Sequence, residues 1–316
     1  MLDTLPESLI VSRPRDRVPW GVRVPGWPDD SVYVWLDALS GYLPRDLASP
    51  WPALHIVGKD ILRFHAILWP LVLAAADLPL PAGLLVHGHF TAADGRRISK
   101  TAANAPAPVA DLIDKLSCDG LRWYLARRAV LGDDVAFEED RAATMAQKEL
   151  GGRIGNLLLR VASPKLLPGG GVPDIPEACP VPAIATLATD VDRAMATLEV
   201  SQYADILAHA AHEVNAHLTA AAPWATEDAQ ARDASVAVVL ESLRILGILL
   251  QPLVPTTAQR LLAALGVPSD RRMMVHATWG GGGDGWVGTA VQRDTIFDVR
   301  EKKAGETSRD LERLQA

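Results

Sequence analysis

The sequence predicts an α/β region followed by an all-α region: a partial Rossmann-like parallel sheet, then an antiparallel helical bundle. Three observations predict it. Short β-branched and aromatic runs, Val32–Leu36, His55–Val57 and Leu84–Phe90, alternate with helical patterns early in the chain. From about Phe137 the apolar spacing is helical almost throughout. Proline-rich breaks at Pro168–Pro180 and Ala222–Asp228 then cut that stretch into separate helices.

Taken in order, residues 1–31 are rich in proline and charge and read as loop, with a short strand around Val22–Val24. The run Val32–Leu36 is predicted as a strand ending at Asp37, an N-cap for a short helix through Tyr42. The strand His55–Val57 meets Gly58-Lys59-Asp60 and leads into an amphipathic helix reaching about Ala76. Leu84–Phe90 is a third strand, closed by a turn at Asp94-Gly95. Three strands with a single full crossover cannot cover both faces of a parallel sheet, so this half reads as incomplete. Helices are expected near 137–163, 183–198, 200–220, 228–250 and 254–266, followed by a Gly-rich linker at Gly280–Gly285 and a charged tail. The predicted organisation is 1–136 as a partial α/β domain, 137–270 as a helical bundle, and 271–316 as linker and tail.

Composition narrows the classes. With 316 residues, 49% of them hydrophobic, the chain can bury a real core over about two domains. A net charge of −7 argues against wholesale coating of nucleic acid and leaves room for a local basic patch. Cys118 and Cys179 lie far apart with no CxxC pair, which argues against a disulfide scaffold or a zinc knuckle; no zinc is expected. The opening residues mix Asp3, Pro6 and Glu7 into few apolar positions, unlike a signal peptide. The most apolar stretch, Ile61–Leu80, holds Arg63, His65, Asp77 and two prolines, so it reads as a buried helix and not a membrane span. A cytoplasmic protein is expected.

Chemistry begins at Gly95-Arg96-Arg97-Ile98-Ser99-Lys100-Thr101, where three cations and two hydroxyls crowd a tight loop. Such a loop can hold a triphosphate, with Lys as a mobile point charge and Arg as a fork. A solvated basic turn has the same composition. Its surroundings carry more. SVYVWLDALSGYL (31–43), HIVGKDILRFHAILWP (55–70), LLVHGHFTAADGRRISKT (84–101) and WYLARRAVLGDDVAF (123–137) occur in this order. Together with VSRPRDRVPWGVRVPG (11–26), they resemble the C-terminal part of the methionyl-tRNA synthetase family of class I aminoacyl-tRNA synthetases, over about residues 8–300.

That resemblance implies roles. Arg97-Ile98-Ser99-Lys100-Thr101 stands where the family carries KMSKS, with Arg97 for the first lysine and Ile98 for the methionine. Lys100 would face the departing pyrophosphate as methionine attacks the α-phosphorus. Arg13 falls at a triphosphate-contacting arginine and is equally readable as a surface charge. His87 and Gly88 match the strand-end pair against adenosine, although His87 also fits a satisfied sheet histidine.

Ile61, His65 and Trp69 stand at i, i+4 and i+8 and form one stripe along a helix. A core stripe is the plain reading, but a histidine in a dry core needs partners for its ring nitrogens. Trp35, Ala38, Leu39 and Tyr42 form a second apolar cluster at a strand-to-helix turn. An indole, aliphatic walls and one or two polar groups suit an unbranched thioether. In the family the matching positions line the methionine pocket. Asp60 matches a carboxylate near substrate and ribose, and could equally cap the helix that starts there.

Asn156 and Arg160 are four apart on one helix and point the same way. Polar ends among leucines commonly mark a solvated edge. Resemblance makes them the anticodon-reading pair, with Trp224 as the indole that stacks on the first anticodon base. The family's HIGH-type phosphate motif and zinc-bearing connective insertion have no counterpart here, and Val86-His87-Gly88-His89 is only an echo of the former. The expected reaction is ATP-dependent activation of methionine, with Mg²⁺ accompanying ATP, and transfer to tRNA(Met). It is expected only when a separate N-terminal half completes the site. Two alternatives stand beside it: a non-catalytic tRNA-binding module, and a repurposed paralogue acting on another amino acid.

Overall fold

The computed structural model describes residues 10–44, 53–92, 94–96, 98, 108–283 and 285–298. The chain divides into two compact units: one runs through His89 and includes Leu131–Asp133, the other takes Phe90–Val130 and continues from Asp134.

In the first unit, β1 (Ser12–Pro14), β2 (Arg23–Val24) and β3 (Trp27–Val32) form an antiparallel sheet with β3 in the middle. Pro25 and Gly26 make the β2–β3 turn, and Gly26 supplies the positive φ of 78° that the turn requires. Extended backbone therefore starts at Trp27, ahead of the predicted Val32–Leu36 strand. The ladder's last partner pair is Ser12 with Val32, and the chain turns helical at once as α1 (Val34–Ser40). Tyr33 is the N-cap through its backbone, and Asp37 lies in the first turn rather than before it. Val-Tyr-Val-Trp has strand propensity, but no neighbouring strand continues far enough to use it.

Next, β4 (Leu54–Gly58) and β5 (Gly83–His87) pair in parallel from Leu54↔Gly83 to Gly58↔His87. Their crossover is helical as expected but not uniformly α: a 3₁₀ turn at Lys59–Ile61, a π-helical turn at Phe64–Leu68, then α2 (Trp69–Ala75). Proline has no N–H, so Pro70 cannot bond the carbonyl four residues back. The Trp69 N–H instead reaches Phe64, five residues back, and the turn widens. Leu39, Leu68, Trp69 and Leu73 form this unit's core cluster. The third predicted strand is interrupted at Gly88-His89: β5 ends at His87 and Phe90–Thr91 form a separate strand, β6.

In the second unit β6 pairs in parallel with β7 (Val135–Ala136). Helical structure begins before Phe137, with α3 (Val109–Leu116) and α4 (Cys118–Arg128). Ser117, at φ 62°, separates them and caps α4 by accepting the Gly120 N–H on its hydroxyl. The expected helix 137–163 is α5 (Glu139–Ala146), a π-helical stretch Gln147–Gly155 and α6 (Asn156–Val161). The expected 183–198 helix breaks at Thr186 into α7 (Pro182–Ala185) and α8 (Leu187–Ala196). Then come α9 (Val200–Ala221), α10 (Ala229–Leu250) and α11 (Pro255–Ala264), close to their predicted bounds. Every residue of α10 from Val236 to Leu250 is buried, so it is the bundle's central helix.

The Gly-rich run is packed on this bundle. Glu241 and Arg244, both fully buried, pair on α10. Arg244 also donates to the His276 and Thr278 carbonyls, and Glu241 accepts the Gly280 N–H. Beyond it, Trp286, Ile296 and Phe297 enter the main core. The glycines permit a tight path over a buried ion pair, where sequence alone reads a flexible linker. The tail from Val299 onward lies outside the described residues.

Candidate functional site

In the first unit α1 and the β4–β5 crossover bring five of the predicted pocket residues together. Tyr42 Oη lies 2.9 Å from His65 Nε2, and His65 Nδ1 lies 3.0 Å from the Ile61 carbonyl oxygen. A carbonyl only accepts, so Nδ1 carries the proton and Nε2 accepts from the tyrosine hydroxyl. Both ring nitrogens of this buried histidine are thus satisfied. Trp35 stacks on Phe64 at 4.0 Å and meets His65 edge-on at 6.2 Å. Tyr42 faces Trp69 at 6.3 Å, and Leu39 and Trp69 are 1% exposed. The Trp69 indole N–H has no hydrogen-bond partner among the described residues. Ala38 is exposed on α1, and Ile61, half-buried, contributes its carbonyl.

Two contributors escaped the sequence reading. His55 on β4 lies 4.5 Å from the Tyr42 ring and 6.0 Å from that of His65. Burial, then the nearby His65, lower its pKa, which favours the neutral ring. Phe64 is the other; the π-helical turn aims its ring at Trp35, which 3.6-residue spacing does not reveal. The alternation Leu54-His55-Ile56-Val57, exposed-buried-exposed-buried, was the signal available for His55.

A second cluster sits at the C-terminal ends of β4 and β5, where parallel sheets present their ligand sites. Asp60 does not cap its helix: the N-cap is Gly58, with no side-chain bond. Its Oδ1 lies 3.7 Å from His89 Nε2. His87 is exposed, and its Nδ1 lies 2.9 Å from the Gly88 carbonyl. Arg13 is drawn to its own sheet: it donates to the Ile10 and Ser12 carbonyls and lies over the Tyr33 ring at 4.1 Å.

In the second unit the predicted turn at Asp94-Gly95 is present. Gly95 has φ 77°, Asp94 accepts the Arg96 N–H, and Ala92 bonds Arg96 across the turn. Of the basic loop that follows, Ile98 is exposed, while Arg97, Ser99, Lys100 and Thr101 lie outside the described residues. Asn156 opens α6 exposed, and Arg160 stands four residues on. The Arg160 guanidinium lies 5.1 Å from the centroid of the Trp224 indole, which is 38% exposed. Among the described residues no group of three or more His, Cys, Asp or Glu side chains is placed to hold a metal ion, and no helix is long and apolar enough to cross a membrane.

Two family descriptions match the chain: class I tRNA synthetases (M) over residues 2–162, and the anticodon-binding domain of methionyl tRNA ligase over residues 167–278. The chain belongs to the methionyl-tRNA synthetase family. It is 36% identical over 299 residues to the mitochondrial methionine–tRNA ligase of Xenopus laevis, covering 88% of this chain and 53% of that protein. It is 35% identical over 277 residues to the methionine–tRNA ligase of Rickettsia prowazekii, covering 81% and 54%. Among solved structures it is similar to Mycobacterium tuberculosis methionyl-tRNA synthetase in complex with methionyl-adenylate, with a TM-score of 0.77 and 30% identity over 92% of this chain and 60% of that one. The free form of that enzyme matches with a TM-score of 0.76. The chain thus spans about half the length of the curated relatives it matches. For a family member, the Tyr42–His65 cluster and the Arg160–Trp224 pair are the two places where its described side chains can meet substrates.

Proposed function

We propose that the chain is the C-terminal part of a methionine–tRNA ligase. In that reading 1–136 belong to the catalytic domain, 137–270 read the anticodon, and 271–316 close the bundle and end the chain. Methionine's carboxylate attacks the α-phosphorus of ATP, pyrophosphate leaves, and the resulting adenylate passes its methionyl group to the 3′ ribose of tRNA(Met). The observation that carries this reading is the cluster Trp35, Leu39, Tyr42, His65 and Trp69: apolar walls around one histidine whose hydrogen bonds fix its tautomer. A thioether fits such walls because it is apolar, polarisable and unbranched.

Lys100 and Arg97 would neutralise charge building on the leaving pyrophosphate, with Ser99 and Thr101 orienting the loop. Arg13, His87, Gly88 and Ile98 would border the nucleotide, and Mg²⁺ would arrive with its triphosphate. The remaining phosphate-binding elements must come from the family's N-terminal half, on the same chain or as a separate polypeptide. A cytoplasmic site of action suits this reading.

Methionine-dependent ATP–pyrophosphate exchange tests it. With the N-terminal half supplied, exchange should appear and should fall about 100-fold or more in Lys100→Ala, the scale of removing one transition-state charge contact. Exchange that stays absent, or that another amino acid supports better, overturns the reading. The stacked Arg160–Trp224 pair favours a second reading, a tRNA-binding module without catalysis. That reading predicts specific tRNA(Met) binding, weakened in Trp224→Ala, with no exchange under any reconstitution.

A further inference from the structure

We infer that His89 is a positioning residue for Asp60, holding that carboxylate at the end of the parallel strands where it can accept the vicinal hydroxyls of a nucleoside ribose. The inference rests on the reading above, in which the nucleoside is adenosine, and adds a residue to which that reading gives no role.

The geometry starts at Gly58, the last residue of β4, paired with His87 on β5. A Cβ on Gly58 would lie 2.8 Å from Asp60 Oδ1, too close for any real side chain, and 3.5 and 3.6 Å from the imidazole Cε1 atoms of His89 and His87. The Asp60 carboxylate therefore folds back over the strand end into space that only glycine leaves open. Two imidazoles border the same space. His87 keeps its Nδ1 on the neighbouring Gly88 carbonyl. His89 instead presents Nε2 to Asp60 Oδ1 at 3.7 Å. The side chains of Asp60 and His89 are 43% and 24% exposed, so the carboxylate is braced on one side and accessible on the other.

A carboxylate is acceptor-only with two oxygens, and a ribose offers two adjacent hydroxyl donors, so the two groups match. Holding one oxygen against a ring N–H removes rotamer freedom that binding would otherwise have to freeze. An imidazole N–H can do this. An aliphatic side chain of similar size cannot.

The test compares adenosine with 2′,3′-dideoxyadenosine, using ligand-observed NMR titration of the 316-residue chain. The wild type should bind adenosine more tightly than the dideoxy compound, and Asp60→Asn should abolish the difference. His89→Leu should weaken adenosine about tenfold, the scale of one hydrogen bond to a charged group, and leave the dideoxy compound unchanged. His89→Gln, which keeps a donor, should recover most of the loss. An equal loss of both ligands in His89→Leu would mean a merely structural role and overturn the inference. So would an unchanged preference in that variant, or a wild type with no preference for the diol. Methionine-dependent exchange is read separately, so either proposal can fail while the other stands.

Discussion

The Arg160 guanidinium lies over the face of the Trp224 indole, 5.1 Å from its centroid. Arg160 sits on α6 and Trp224 just beyond α9, so two helices far apart in sequence jointly present one cation and one flat ring. Pre-stacking limits the rotamers of both before any base arrives. Arg160→Lys keeps the charge and loses the plane. We expect it to weaken tRNA(Met) binding about three- to tenfold in mobility-shift titrations without changing the salt slope. Arg160→Ala should also lower that slope by about one phosphate's contribution.

Tyr42→Phe removes the hydroxyl that His65 Nε2 accepts from. His65 would then be buried with an unpaired acceptor and free to reorient. We expect weaker methionine binding, about tenfold by calorimetry on the reconstituted enzyme, and a lower midpoint for thermal unfolding. Unchanged methionine affinity would remove Tyr42 from the pocket.

Gly58→Ala should act on the ligand rather than on the fold. The backbone of Gly58 is ordinary extended chain, with φ −71° and ψ 150°, so alanine costs no backbone strain. Its methyl would meet Asp60 Oδ1 and push the carboxylate aside. Adenosine binding should fall severalfold, while the denaturant midpoint moves little.

Arg244→Met should be strongly destabilising. Both members of the Glu241–Arg244 pair are fully buried, and removing one strands the other's charge, at a cost of about 3–5 kcal/mol. The double change Glu241→Gln with Arg244→Met should recover part of that loss. Urea unfolding of the three proteins checks both.

Alkaline stability should depend on Tyr203. Its phenol is buried, donates to the Leu249 carbonyl at 2.5 Å, and burial pushes its pKa up to about 12 from an ordinary 10. Between those values the folded chain keeps a proton that the unfolded chain has released, so stability falls as pH rises through the window from 10 to 12. Tyr203→Phe lacks this titration, and its unfolding free energy should decline less steeply across the same range.

The helices of the second unit were legible because their burial follows sequence period: α9, α10 and α11 lie within a few residues of expectation. The helices α3 and α4 were missed. Their polar positions (Asp111, Asp114, Asp119, Arg122) blur the pattern, and buried Asp119 reads as surface until it accepts the Thr257 N–H from α11. The boundary of α1 slipped for a related reason. Strand propensity at Val32–Leu36 is real, but pairing partners end at Val32.

For the site, residue types and spacing identified Trp35, Leu39, Tyr42, His65 and Trp69 as one chemistry, because each element is local and its periodicity says which side chains share a face. Spacing could not foresee the π-helical turn that Pro70 accompanies, and so could not place Phe64 against Trp35. Nor could it choose between capping and ligand roles for Asp60, or give His89 a purpose beyond an echo of another motif. Those outcomes depend on contacts between β4, β5 and the crossover, which are non-local. Local order along the chain determined which chemical groups this protein carries. Their partners were decided only when distant segments packed, because hydrogen bonds and ring contacts are set by distance in space and not along the sequence.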